Sequence, residues 1–176
     1  NNLSKELEEK LNKNNISCYI DNSNKSAGFK FAEAEVNGIP VRIDLGPRDL
    51  ENGVITLARR DTREKITISK DEDIVKVVNE LLNDIQNNLY TKALERRNQM
   101  TYTATNMEEL ERIITNNPGF VKAMWCKNVE CENKIKEIRG TKSRCIPFDK
   151  EQEHISDKCV CCGKEAKTMV VWGIQY

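Results

Sequence analysis

Four cysteines near the C-terminal end form two short-spaced pairs, Cys126 with Cys131 and Cys159 with Cys162. Two thiolates on one tight turn can bind the same ion with little distortion of the chain. A second such pair completes a tetrahedral all-sulfur site, with Zn–S distances of about 2.3 Å. The spacing therefore predicts a structural Zn²⁺ site. Cys161 lies inside the second pair, in the segment KCVCCGK, and is an alternative ligand to Cys162.

Disulfide bonds and thiol redox chemistry are the competing interpretations of these cysteines. The chain has seven cysteines, an odd number, and its start shows no secretory signal pattern, so paired disulfides are disfavoured. A redox CxxC usually opens a helix after a strand, whereas Cys159 and Cys162 lie among lysines and precede a strand-like segment. A thiol oxidoreductase would need reversible oxidation of this pair and no metal. Cys18 and Cys145 are expected to be buried residues of strands.

The charge balance argues against a general electrostatic attraction to nucleic acid. The 28 basic and 28 acidic residues give a net charge of zero, so any nucleic-acid site must be local. A length of 176 residues with 38% hydrophobic content predicts one or two small domains. No apolar run approaches the roughly 20 residues of a membrane helix, and the reduced cysteines predict a cytoplasmic protein. Because the chain begins at Asn1 inside a helical pattern, we expect it to be part of a longer protein.

Hydrophobic periodicity predicts alternating helices and strands in the first half of the chain. Helices are predicted at Leu3–Leu11 and Gly28–Val36, strands at Ile16–Ile20 and Val41–Leu45, a turn at Gly46–Asp49, and a hairpin from Val54–Ala58 and Ile66–Ile68. A long helix follows, with an apolar stripe from Ile74 to Leu94 and with Ser69 or Asp71 as its cap.

The polar, Thr-rich segment Asn98–Asn106 is predicted to be a linker, which sets the two domains at 1–98 and 99–176. After it, helices are predicted at Met107–Asn116 and Val129–Ile138, and strands at Phe120–Trp125, Cys145–Phe148 and Met169–Ile174. The fold class is therefore α/β.

Two blocks of this sequence resemble a known family. The segment GFKFAEAEVNGIPVRIDLGPRDLENGVITLARRDTREK, from Gly28 to Lys65, resembles the anticodon-binding domain of prolyl-tRNA synthetase, a class II aminoacyl-tRNA synthetase. The CxxxxC pair, the RCIPF segment, the CxxCG pair and the final Tyr176 are similar to the C-terminal zinc domain of archaeal- and eukaryotic-type enzymes. The resemblance implies a mixed β-sheet flanked by helices, followed by a small zinc-bound α/β domain. The first strand of the anticodon module is expected to be missing, which would expose a sheet edge.

The resemblance also implies a function for the longer enzyme. That enzyme attaches proline to tRNA(Pro) with ATP and Mg²⁺, in a catalytic domain that we do not find in this sequence. The chain alone is therefore expected to be inactive and to carry no catalytic residue. The implied partners are the tRNA(Pro) anticodon and the catalytic domain of the same enzyme, which we expect to be a homodimer. The terminal carboxylate of Tyr176 is expected to support that active site, and an upstream editing domain is left open.

Three residues between positions 31 and 42 suit the reading of guanine. Unpaired anticodon bases are recognised by aromatic stacking and by hydrogen bonds to their edges. The two anticodon bases that proline tRNAs share are guanines; a carboxylate can accept from guanine N1–H and N2–H₂, and an Arg fork can donate to O6 and N7. Glu35 follows Phe31 by one helical turn, and Arg42 lies on the next strand. The resemblance assigns stacking to Phe31 and guanine contacts to Glu35 and Arg42.

Each of these residues also has a structural interpretation. Phe31 is a possible core residue, and Glu35 with Arg42 is a possible surface ion pair of little energetic value. Lys30, Arg59 and Arg60 are further candidates for RNA contact, because a basic cluster suits phosphate binding as well as a solvated hairpin. A second function class is a free-standing zinc-bearing module that binds RNA or another protein.

Overall fold

The computed structural model describes residues 2–174, and the chain divides into two compact units, Asn1–Lys92 and Ala93–Tyr176. The division lies inside one long helix, Ile74–Gln99. The domain limits 1–98 and 99–176 remain predictions. No helix within residues 2–174 is both long and apolar enough to cross a membrane. Tyr176 lies outside the described residues, and so does the role expected for its carboxylate.

Unit 1, Asn1–Lys92, contains an antiparallel sheet with the strand order β1-β2-β3. Side chains of the first helix, the central strand and the long helix form its core, among them Leu11, Leu57 and Val78. The elements are α1 (Asn2–Lys13), α2 (Ala27–Val36), β1 (Val41–Asp44), α3 (Pro47–Glu51), β2 (Val54–Arg59), β3 (Lys65–Ser69) and α4 (Ile74–Gln99). The helices α1, α2 and α4, the strand β1 and the β2–β3 hairpin confirm the predictions from periodicity.

The strand predicted at Ile16–Ile20 is wrong. The segment is rich in β-forming residues, but a strand also needs a neighbour for its backbone groups. Here the Asn12 side chain takes that place: its Oδ1 accepts from the Cys18 N–H at 3.0 Å, and its Nδ2 donates to the Cys18 carbonyl at 3.2 Å. The Ile16 N–H donates to the Leu11 carbonyl at 3.0 Å. Local contacts with α1 therefore replace strand pairing, and Cys18 is half-buried against the core of unit 1.

Two further details of unit 1 differ from the predictions. Gly46–Asp49 is the beginning of α3 and not a free turn, because Pro47 occupies the first helical position, where its missing N–H costs nothing. The long helix α4 is capped by Asp73, whose side chain accepts from the Val75 N–H at 3.2 Å, and not by either predicted residue. Ser69 instead accepts from the Asp71 N–H at 3.3 Å, within the turn before the helix.

Unit 2, Ala93–Tyr176, contains a mixed sheet with the strand order β4-β5-β7-β6. The β4–β5 pair is parallel, and the other two pairs are antiparallel. Its elements after α4 are β4 (Thr101–Thr103), α5 (Met107–Asn116), β5 (Phe120–Trp125), α6 (Val129–Glu137), β6 (Thr141–Cys145), a short 3₁₀ turn (Asp149–Glu151) and β7 (Thr168–Ile174). One sheet face packs on Leu110 and Ile135 of the two helices, which confirms the α/β class.

The linker predicted at Asn98–Asn106 contains β4, whose polar residues pair through their backbones with β5. Gly119 precedes β5 with φ +131°, and a Cβ there would lie 2.1 Å from the Met100 carbonyl oxygen, so this close approach requires glycine. The strand predicted at Cys145–Phe148 instead ends at Cys145 and begins at Thr141. Pro147 has no N–H to continue the ladder. Cys145 is exposed, which corrects the expectation that it is buried.

Candidate metal centre and nucleic-acid interface

Unit 2 brings four cysteine sulfurs together: those of Cys126, Cys131, Cys159 and Cys162 all lie within 4.8 Å of one another. The Sγ of Cys126 lies 3.6 Å from that of Cys131 and 3.7 Å from that of Cys162. A tetrahedral ion with metal–sulfur bonds of about 2.3 Å separates its ligand atoms by roughly 3.8 Å. The measured separations fit such an ion, so the cluster could hold a metal.

The sequence around each pair explains the local geometry. Cys126 follows β5 directly, and Cys131 lies in α6, which begins where the Asn128 side chain accepts from the Glu130 N–H at 2.8 Å. The second pair lies on a turn in which the Cys159 N–H donates to the Lys164 carbonyl at 2.7 Å. Each pair is therefore held by hydrogen bonds between residues close to it in sequence, which is why the spacing alone predicts the pairs.

The four thiols differ in their protonation behaviour. Burial raises the pKa of the Cys131 thiol well above its usual range, and burial also raises the pKa of Cys126. The pKa of Cys162 is lowered to about 7, chiefly because the backbone N–H of Lys164 donates to its sulfur. A metal that binds these sulfurs must displace their protons, so the affinity for the metal decreases as the pH is lowered.

Cys161, the alternative ligand, is half-buried and packs against both core clusters of unit 2. Its sulfur is not one of the four that come together among the described residues. Cys145 is also outside this group. The structure thus brings together the two predicted pairs, Cys126 with Cys131 and Cys159 with Cys162.

In unit 1, α2 and the three-stranded sheet form a concave surface that is lined by two of the predicted guanine readers, Glu35 and Arg42. Val41 and Ile43 of β1 pack against the core, so the alternate residues Arg42 and Asp44 lie on the opposite face. Arg42 pairs across the sheet with Ala58, and Ala58 pairs with Lys65, so these three residues form one row on that face.

Phe31 of α2 lies over this row. The Arg42 guanidinium carbon is 3.7 Å from the centroid of the Phe31 ring, and the Lys65 Nζ is 5.7 Å from it. The ring is half-buried. Arg42 also forms a two-pronged ion pair with Asp44, with Nε–Oδ1 at 2.7 Å and Nη2–Oδ2 at 3.3 Å. The guanidinium is thus contacted by both the Phe31 ring and the Asp44 carboxylate.

Glu35 lies one turn after Phe31 and lines the same concave surface as Arg42. Within residues 2–174 its carboxylate forms neither an ion pair nor a hydrogen bond, and the residue is exposed. The Glu35 carbonyl accepts from Nε of Arg60 at 2.8 Å, which joins the β2–β3 turn to the end of α2. Arg42 pairs with Asp44, so the Glu35–Arg42 ion pair considered from the sequence is not present.

The other two predicted RNA contacts are held by acidic partners. The Nζ of Lys30 donates to the Asp21 carbonyl at 2.9 Å and lies 3.6 Å from its Oδ1. Arg59 is paired with Asp61 at 2.8 Å and with Asp84, and its side chain is only 11% exposed. These two residues are therefore already engaged within the protein.

The network around Arg59 was not predicted from the sequence. Asp61 is 2% exposed and accepts from Asn88 Nδ2 at 2.6 Å, which ties the β2–β3 turn to α4. The hydrogen bond from the Arg59 guanidinium holds the pKa of the Asp61 carboxyl well below its usual range. A separation of 27 residues gives no local pattern for Asp61 and Asn88. The Arg42–Asp44 pair could have been predicted from the sequence, since residues i and i+2 of a strand lie on the same face.

Two family models match separate parts of this chain. Residues 1–81 match a family described as an anticodon binding domain, and residues 107–176 match one described as "Prolyl-tRNA synthetase, C-terminal". The chain thus joins an RNA-recognition domain to a second, cysteine-bearing domain of one class of aminoacyl-tRNA synthetase.

Curated relatives share about half of the sequence. The chain is 51% identical over 172 residues to "Proline--tRNA ligase" of Clostridium botulinum (strain ATCC 19397 / Type A), which is 98% of this chain and 35% of that protein. It is 52% identical over 157 residues to "Proline--tRNA ligase" of Clostridium novyi (strain NT), covering 89% and 32% of the two chains. For "Proline--tRNA ligase 2" of Bacillus cereus (strain ZK / E33L) the identity is 51% over 157 residues, with the same coverage. The chain belongs to the prolyl-tRNA synthetase family, and it spans about a third of the length of these relatives.

Proposed function

We propose that this chain is the tRNA-recognition region of a proline–tRNA ligase, and that the concave surface of unit 1 binds the two anticodon guanines of tRNA(Pro). One observation carries this proposal. The Glu35 carboxylate is exposed and without an ion-pair or hydrogen-bond partner among residues 2–174, and it lines the same surface as Arg42, whose guanidinium lies over the Phe31 ring. An acceptor, a forked donor and an aromatic ring are the groups that guanine recognition requires.

The roles follow from the chemistry of each group. The Glu35 carboxylate accepts from guanine N1–H and N2–H₂. Arg42 donates to O6 and N7 through N–H groups that Asp44 leaves free. Phe31 supplies the stacking surface. Guanine offers both donors on its Watson–Crick edge, whereas adenine has no N1–H, so the carboxylate discriminates between the purines.

Basic residues at the rim of the surface are proposed to contact phosphates. Arg60, Arg63 and Lys65 line the same concavity as the guanine readers, and phosphate contacts fix the register of a bound strand. Lys30 and Arg59 remain predicted RNA contacts. For either to bind a phosphate, the phosphate must replace the carboxylate that now pairs with it.

We propose that the metal of unit 2 is Zn²⁺ and that its role is structural. Four thiolates are soft ligands that favour zinc, and the cluster offers a closed set with no open coordination position for substrate. When bound, the ion supplies a cross-link between Cys126, which follows β5, and the turn at Cys159–Cys162. Such a site contributes an apparent binding free energy of about 10–16 kcal/mol, which matters for a unit of this size.

The remaining proposals concern the longer enzyme. Attachment of proline to tRNA with ATP and Mg²⁺ is assigned to the part of the relatives' length that this chain does not span. Contact with that catalytic part, a homodimeric assembly and a cytoplasmic location are proposed together with it. They rest on the family and not on a site in unit 1 or unit 2.

Binding measurements with intact tRNA test the central proposal. The chain should bind tRNA(Pro) more tightly than a panel of other tRNAs. Replacement of either anticodon guanine by adenine should weaken binding by about 1–3 kcal/mol, the value of a good base contact. Equal affinity for every tRNA would instead favour a general RNA-binding module.

A further inference from the structure

The Asp44 carboxylate fixes the orientation of Arg42. Its two oxygens accept from Nε at 2.7 Å and from Nη2 at 3.3 Å, and the two side chains are 17% and 19% exposed, respectively. A guanidinium has five N–H groups, so this pair leaves three free to donate elsewhere. Because the ion pair uses one edge of the fork, the free donors are grouped on the remaining side.

The backbone fixes the relative placement of these two residues. Arg42 and Asp44 are two positions apart on β1, and they pair with Ala58 and Thr56 of β2. The guanidinium carbon of Arg42 lies 3.7 Å from the centroid of the Phe31 ring. Arg42 is thus restrained by a strand, a carboxylate and an aromatic ring.

Asp44 also competes with Glu35, a second possible partner of Arg42. Glu35 lines the same concave surface, and within residues 2–174 its carboxylate pairs with no cation. If Asp44 were absent, Arg42 would be free to pair with Glu35, and the donor and the acceptor needed for guanine would satisfy each other. The ion pair with Asp44 occupies two of the Arg42 donors and so competes with such a pairing.

We propose that Asp44 is a positioning residue for anticodon recognition, which keeps Arg42 oriented toward guanine and keeps Glu35 available. This inference rests on the proposed function. A purely electrostatic role and a positioning role affect different quantities. Loss of a carboxylate near RNA should strengthen the binding of any polyanion. Loss of positioning should instead lower the preference for guanine over adenine.

The test compares RNA stem–loops that carry the proline anticodon with the same RNAs in which one guanine is replaced by adenine. Fluorescence anisotropy at fixed salt gives the guanine-to-adenine affinity ratio for the 176-residue chain. The original chain should prefer guanine about tenfold or more. Asp44→Asn should reduce this ratio to about threefold or less. Glu51→Gln is the matched control, since it removes one exposed carboxylate of α3 that pairs with no cation within residues 2–174.

A double-mutant cycle shows whether Asp44 acts through Arg42. In an Arg42→Ala background, Asp44→Asn should change the guanine-to-adenine ratio no further. A general loss of structure would instead lower the ratio in both backgrounds. Circular dichroism checks that the variants are folded. If Asp44→Asn does not fold, Asp44→Glu takes its place, because it keeps the charge and displaces the carboxylate by one methylene.

The outcomes separate the two proposals. If the original chain binds guanine and adenine RNAs equally, the proposed function fails and this inference fails with it. If the original chain prefers guanine and Asp44→Asn keeps the full preference, only the positioning role is overturned.

Discussion

The guanidinium of Arg42 lies over the ring of Phe31, with 3.7 Å between the guanidinium carbon and the ring centroid. The ring therefore supports a base reader in addition to offering a surface for stacking. Replacement Phe31→Ala should weaken binding of tRNA(Pro) by about 1–3 kcal/mol, since one stacking contact has this value. Isothermal titration calorimetry measures the change.

Phe29→Ala is the matched control for this prediction. Phe29 lies on the same helix, is 54% exposed and contacts Lys25 instead of Arg42. Its replacement should leave the affinity for tRNA(Pro) nearly unchanged. If the two variants lose the same affinity, Phe31 has no special role in binding.

Replacement Glu35→Gln should separate recognition from stability. The side chain is exposed, and its carboxylate has no ion pair or hydrogen bond within residues 2–174, so the free energy of unfolding should change by less than about 0.5 kcal/mol. The amide loses one acceptor for guanine, so the preference for tRNA(Pro) over its adenine-substituted form should fall. Thermal melts and tRNA titrations measure the two effects. A variant that keeps its full preference would remove Glu35 from the recognition site.

The Arg59–Asp61 pair makes a prediction about stability. Asp61 is 2% exposed and also accepts a hydrogen bond from Asn88. Asp61→Asn leaves the Arg59 charge partly unpaired and should lower the free energy of unfolding by about 3 kcal/mol. Far-UV circular dichroism in urea should follow the change. The exposed Asp71→Asn is the control, and equal destabilisation by both variants would contradict a role for the network.

The same pair sets a dependence on pH. Hydrogen bonding to Arg59 lowers the pKa of Asp61 in the folded state below the value of about 3.9 for a free Asp. The stabilisation is therefore fully present above the unfolded pKa and is lost as pH falls through the folded pKa. Between about pH 5 and pH 2 the original chain should lose more stability than Asp61→Asn. Equal losses in denaturant titrations across this range would show that Asp61 is not responsible.

The metal centre can be followed through two tryptophans of unit 2. Trp172 is fully buried with Trp125 edge-on at a centroid distance of 6.4 Å, and the Trp125 Nε1 donates to the Asn128 carbonyl at 3.1 Å, beside Cys126. The purified chain should contain about one zinc ion, as a four-thiolate site binds one. Removal of zinc by a chelator should shift tryptophan emission to longer wavelength as unit 2 loosens.

Cysteine variants identify the ligands. Cys131→Ser should lose the metal, whereas Cys161→Ser and Cys145→Ser should keep it, because their sulfurs lie outside the four-sulfur group. Zinc content by atomic absorption measures each outcome. A metal-free chain in which unit 2 keeps its native tryptophan emission would overturn the structural role of zinc.

Local sequence patterns predicted most of the helices and strands. The apolar stripe of α4 and the alternation of Val41, Arg42 and Ile43 are visible in the sequence, because helix and strand faces repeat at fixed periods. The cysteine pairs were predictable for a different local reason, since the two members of each pair are close in sequence and can reach the same ion. What failed depended on distant partners: β4 is polar and is held by its backbone pairing with β5. The guanine readers were proposed from a resemblance. The ion pair between Asp44 and Arg42 was found only from the positions of the side chains in the structure.

The last strand of unit 2 in sequence, β7, is an inner strand of its sheet, between β5 and β6. Those two strands are synthesised earlier, yet neither can complete its ladder until Thr168–Ile174 has left the ribosome. The three strands that the structure describes in unit 1 are all synthesised by Ser69, so they can pair while translation continues. The sheet of the cysteine-bearing unit therefore cannot close until Ile174 has been synthesised, well after Cys126 and Cys131.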